Sequence, residues 1–114
     1  MTWLFMRKQQ LPTRVVSVRY VWSGIAGEGL IDSLSLSGSC ITGNRPVSIG
    51  VALALQMFVP GDSEPLLIDR ATVIWVEGAE FGVVFDTPTP KVAERITTVA
   101  AKLVKTQHDS FRYG

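Results

Sequence analysis

Three serines stand at every second position, Ser33, Ser35 and Ser37, and Gly38 follows them directly in the run DSLSLSGSCI. Each hydroxyl can donate one hydrogen bond and accept two. Spaced by two on an extended chain, the three share one side. Glycine next to them lets backbone or ligand come close. The chemistry on offer is therefore hydrogen-bonding recognition, either of water on a half-buried strand or of a polar ligand.

The other reactive side chains do not assemble into a catalytic set. His108 is the one histidine and lies in the C-terminal segment without a clear pattern, so no Ser–His–acid set is expected around it. Cys40 is the one cysteine, so it has no disulfide partner in the chain, which fits a reducing compartment. It reads as a small buried apolar residue. No Cys/His cluster has metal-ligand spacing. Glu77 and Glu80 flank a turn as solvated groups, and Gly27-Glu28-Gly29 precedes no helix, so it is not a phosphate loop. Trp75 shares a strand face with Val73, which favours core or barrel rim over a stacking platform for it. The expectation is a protein that is not an enzyme, with no catalytic residue, metal or cofactor.

The elements that must position the serines follow from periodicity. Alternation and β-branched or aromatic content predict strands over 14–22, 29–36, 39–42, 49–58, 66–76 and 80–86. The glycine-rich tract 23–29 reads as a hairpin connection, GNRP at 43–46 as a turn, and VPGDSEP at 59–65 as a loop. In the second strand Leu30, Asp32, Leu34 and Leu36 are expected on one face, the leucines in the core. Ile31 and the serines are expected on the other. Beyond TPTP (87–90), Val92, Ile96, Val99 and Leu103 recur at helical spacing, and Thr89 with Pro90 opens a helix of roughly 15 residues. The predicted organisation is an arm at 1–10, a barrel with its closing helix at 11–106, and a tail at 107–114.

The bulk properties narrow the function. The chain has 114 residues, 46% hydrophobic and 18% charged, with net charge +1. That is one folded domain, without the basic excess that draws nucleic acid or an anionic membrane. The N-terminus carries only a short apolar run before Arg7 and Lys8, and no window reaches the length of a membrane span. A cytoplasmic location is the expectation.

Taken together, SLSLSG at 33–38 followed by SCI, VPG at 59–61, IDRATVIWV at 68–76, EFGVVF at 80–85 and the closing helix resemble the PilZ domain family, over roughly residues 11–104. The resemblance implies a mainly β fold, a six-stranded antiparallel PilZ-type β-barrel with one C-terminal α-helix. It also implies a receptor for the bacterial second messenger cyclic di-GMP. The family holds that ligand with an R-x-x-x-R segment in the N-terminal arm and a D/N-x-S-x-x-G run on a barrel strand. Ser35 and Gly38 match the second run, and Ser33 stands where the family has Asp or Asn. Asp32, next door, is expected on the opposite face. In the arm, Arg7 falls at the second arginine and Lys8 beside it, while Trp3 takes the place of the first. Arg14 and Arg19 are spaced by five inside a strand and do not replace the pair. The implied site is Arg7, Lys8, Ser33, Ser35 and Gly38, with binding weakened by the incomplete arginine motif. The alternative is a degenerate PilZ domain that binds no nucleotide and acts as a protein adaptor or homodimer, through the apolar arm Trp3-Leu4-Phe5 or the C-terminal helix.

Overall fold

The computed structural model describes residues 16–111, with side chains through Leu103. The arm, including Arg7 and Lys8, lies outside these residues, as do Trp3 and Arg14. Six strands run as β1 (Ser17–Trp22), β2 (Ile25–Leu34), β3 (Gly38–Gly43), β4 (Ala52–Phe58), β5 (Leu66–Glu77) and β6 (Glu80–Phe85), and α1 (Pro90–Phe111) follows. They form a closed barrel in the order β1-β2-β3-β6-β5-β4, antiparallel at every seam. Closure leaves no free sheet edge among the described residues.

Period-2 alternation fills the interior. Val18 and Tyr20 of β1, Leu53, Leu55 and Met57 of β4, and Phe81, Val83 and Phe85 of β6 are all buried. Tyr20 is the largest side chain in this core, and two glycines make room for it. A Cβ at Gly27 or Gly43 would run into its ring. Its hydroxyl donates to the Arg45 carbonyl (2.6 Å) and accepts from the Arg45 amide (2.9 Å), so the β3–β4 connection is tied to the core. The hairpin between β1 and β2 is therefore shorter than the glycine count suggests. Only Ser23 and Gly24 turn, both at positive φ, and Gly27 and Gly29 belong to β2.

The serine strand departs from the expected faces. Opposite β3, Ile31 pairs with Ile41 but Ser33 pairs with Cys40, so Asp32 is an extra residue. This β-bulge shifts the alternation. Ile31 and Leu34 both point in, at 6% exposure, while Leu30 and Leu36 are 47% and 52% exposed. Asp32 and Ser33 are both exposed, which corrects the expectation that they face opposite ways. The strand also ends early, at Leu34. Ser35 to Gly38 is a turn in which the Ser35 amide donates to the Gly38 carbonyl (2.9 Å).

The closing helix docks its apolar stripe on β2 and β5. Ile96, Val99 and Leu103 are buried, and Val92 packs against the core at partial burial. The Thr89 hydroxyl accepts from the Val92 amide (3.3 Å) as the N-cap. Arg95 reaches from the helix to the β4–β5 loop, donating to the carbonyls of Glu64 and Pro65 and to the Asp62 carboxylate. The helix spans 22 residues, longer than the apolar stripe predicts. No glycine or proline interrupts the chain between Pro90 and Gly114, so nothing in the sequence stops it at the end of the stripe. His108 is thereby part of the helix rather than of a loose tail.

Candidate functional site

Strand register sets a lateral row of four residues across the outer barrel wall. Ser33 of β2 pairs with Cys40 of β3, Cys40 with Gly82 of β6, and Gly82 with Trp75 of β5. A second bulge makes the last pairing. Val73 opposes Val83 and Trp75 opposes Gly82, so Ile74 is the extra residue. It separates Val73, which is buried, from Trp75, which the bulge moves to the outside. The phase of β6 shows why the ring fits. Phe81 and Val83 fill the interior, so the bare side of Gly82 faces outward, and a Cβ there would strike the Trp75 indole. Trp75 thus lies over Gly82, half-buried on the outer wall, and does not share a face with Val73.

Above this row runs an open groove of about 290 Å³. Its polar side carries Ser33, Ser35 and Ser37, and its apolar side carries Trp75, Ile74 and Val84. Gly38 sits at the junction, where a Cβ would collide with the Val83 carbonyl of the neighbouring strand. The serine turn is built by its own hydrogen bonds. The Ser35 and Ser37 hydroxyls are 3.2 Å apart, Ser35 Oγ lies 3.4 Å from the Gly38 carbonyl, and the Phe85 amide donates to the Ser37 carbonyl (2.9 Å). Below it the buried Ser39 hydroxyl donates to the Ser33 carbonyl (2.7 Å). Ser39 therefore serves as the internal strut that fixes the turn, and the serines above it present the hydroxyls.

The fold brings Ser33, Ser35 and Gly38 together, as expected, and adds Cys40, Trp75 and Gly82. Cys40 is half-buried and lines the groove, a correction to its reading as a buried core residue. Asp32, on the same outer side as Ser33, accepts from the Thr42 hydroxyl (2.6 Å). The signal for the missed residues lies in Trp75 and Gly82 flanking a tight hairpin, but only the Ile74 bulge puts them in register. Such a groove can hold a planar, hydrogen-bonding group, with the indole face on one side and hydroxyls on the other. Its lining holds no Lys, Arg or His side chain, so any anion held there needs cations from elsewhere. Among the described residues no group of three or more His, Cys, Asp or Glu side chains could hold a metal ion, and no helix is long and apolar enough to cross a membrane.

No family model matches the chain, and no curated protein does. Among solved structures, the chain is similar to the crystal structure of the PilZ domain of CeSA from a cellulose-synthesizing bacterium. The TM-score is 0.61 at 14% identity, over 80% of this chain and 94% of that one. The closed six-stranded barrel with its C-terminal helix is thus a PilZ-type fold.

Proposed function

We propose that this chain is a PilZ-type receptor or effector domain that binds cyclic di-GMP, weakly, in the outer groove between the serine turn and Trp75. The observation that carries the reading is the convergence of Ser33 at the end of β2 with Ser35 and Gly38 of the turn that follows, in one groove with an indole lying over Gly82. One guanine edge would hydrogen-bond to the serine hydroxyls, and its ring would stack on the indole. The groove supplies no charge for the phosphates, so that task falls to Arg7 and Lys8 of the arm. A guanidinium fork grips phosphate bidentately and an ammonium does not. Each charge-assisted hydrogen bond contributes about 1.5–3 kcal/mol, so a single fork in place of two lowers affinity by about ten- to a hundredfold or more. The action would be a binding switch with no bond made or broken.

Calorimetric titration of the full chain with cyclic di-GMP, with GTP as control, tests this. Saturable heat with cyclic di-GMP alone, lost in Ser35→Ala and Arg7→Ala, is the expected result. Heat that is unchanged in both variants would place the ligand elsewhere.

The second reading is a degenerate PilZ domain acting as a protein adaptor. The lining without Asp, Glu, Lys, Arg or His and the exposed Ile74 and Val84 at the groove favour it, because such a rim suits an apolar protein segment. Absence of heat at millimolar nucleotide would leave this reading standing.

A further inference from the structure

A second groove opens on the outer wall across β4, β1 and β2, with a volume of about 480 Å³. Its floor is Ser17, and register places that small residue between Phe58 of β4 and Leu30 of β2. Phe58 and Leu30 are 44% and 47% exposed, two large apolar side chains standing apart with a slot between them. One row further along, Arg19 and Glu28 pair across the strands and close the slot with charge.

We propose that this slot is the docking site of the chain's own N-terminal apolar run, Trp3-Leu4-Phe5-Met6. Three observations identify that occupant. The floor residue Ser17 is the first residue of β1, and Val16 before it is already anchored by the Ile31 amide, which donates to its carbonyl (2.9 Å). Residues 1–15 therefore join the fold at this groove. Fifteen residues at about 3.3 Å each are ample to leave the barrel, turn at Leu11-Pro12 and return. The run is four consecutive large apolar residues, which matches a slot walled by Phe58 and Leu30. A short tether also gives an effective concentration in the millimolar range, which favours the chain's own segment over a second copy. The inference stands apart from the nucleotide reading, since it requires no ligand.

The test is paramagnetic broadening without nucleotide. A ¹⁵N-labelled full chain carrying Cys40→Ser and Leu4→Cys takes a spin label at position 4. The amides of Ser17, Leu30 and Phe58 are expected to lose most of their intensity. The amide of Val84, on the strand diametrically opposite β1 in the barrel, is expected to keep its own. Replacing Trp3 and Phe5 by serine in the same labelled chain is expected to restore the lost signals. Uniform or absent broadening would overturn the proposal, and so would broadening that survives the serine replacements. Broadening that transfers to an unlabelled-cysteine ¹⁵N chain mixed with a spin-labelled ¹⁴N chain would assign the slot to a second copy, and would equally overturn it.

Discussion

At Gly82 an added Cβ would meet the Trp75 indole nitrogen, so one missing methyl group decides where the aromatic wall of the groove lies. Gly82→Val is expected to lift the indole off the barrel, with a stability loss of about 1–3 kcal/mol from overpacking. The tryptophan emission should shift to the red, and nucleotide heat should vanish while the barrel stays folded by circular dichroism. Tyr20 makes the opposite kind of residue-scale commitment. Its hydroxyl both donates to and accepts from the Arg45 backbone inside the core. Tyr20→Phe leaves that carbonyl and amide unpartnered and should cost about 1–3 kcal/mol in chemical denaturation. A loss below a few tenths would mean that solvent already reaches the turn. Ser33, Ser35 and Gly38 were singled out by the resemblance of their run to the D/N-x-S-x-x-G motif, while their spacing alone left a half-buried strand and a ligand surface both open. Trp75 and Gly82 were not, because their meeting depends on how two strands are paired, and that pairing is not written in either strand by itself.

The elements were legible wherever the alternation ran unbroken. The interior faces of β4 and β6 and the helix stripe Val92, Ile96, Val99 and Leu103 follow directly from the sequence pattern. The bulges did not, since a period-2 reading carries its phase straight through an inserted residue. The phase error at Asp32 put Leu30 inside on paper and outside in the fold, and the early end of β2 at Leu34 did the same to Leu36. Deleting Asp32 removes only the extra residue and leaves Ile31 and Leu34 inward on a regular ladder. It should therefore be tolerated at a cost of about 1–2 kcal/mol. Deleting Leu30 instead shifts the phase of β2 against its neighbours and should abolish folding, read as loss of dispersed amide signals. For α1, Ile96→Ala should cost about 2–5 kcal/mol, because Ile96 is fully buried where the helix crosses the barrel. Arg95→Ala should barely change the midpoint of unfolding. It should raise hydrogen exchange across residues 59–65, since Arg95 ties that loop to the helix.

On the scale of the whole molecule, the barrel is closed and the groove belongs to four strands whose order, β2-β3-β6-β5, is not the order of the chain. A ligand across that row would bridge strands far apart in sequence, and binding would stabilise the barrel as a unit. The melting temperature should accordingly rise with cyclic di-GMP, by an amount equivalent to about 2.7 kcal/mol at a hundredfold excess over the dissociation constant, and not with GTP. The shift should shrink as salt is raised, because the phosphate contacts assigned to Arg7 and Lys8 are between opposite charges, which salt screens. The central claim is that the serine turn and Trp75 form one nucleotide site. It is tested most directly by following the amide and indole signals of the ¹⁵N-labelled full chain during a cyclic di-GMP titration. The account predicts saturable shifts at Ser33, Ser35, Gly38 and Cys40 together with the Trp75 indole N–H, all with one binding constant. Shifts confined to other parts of the barrel, or none at millimolar ligand, would contradict it.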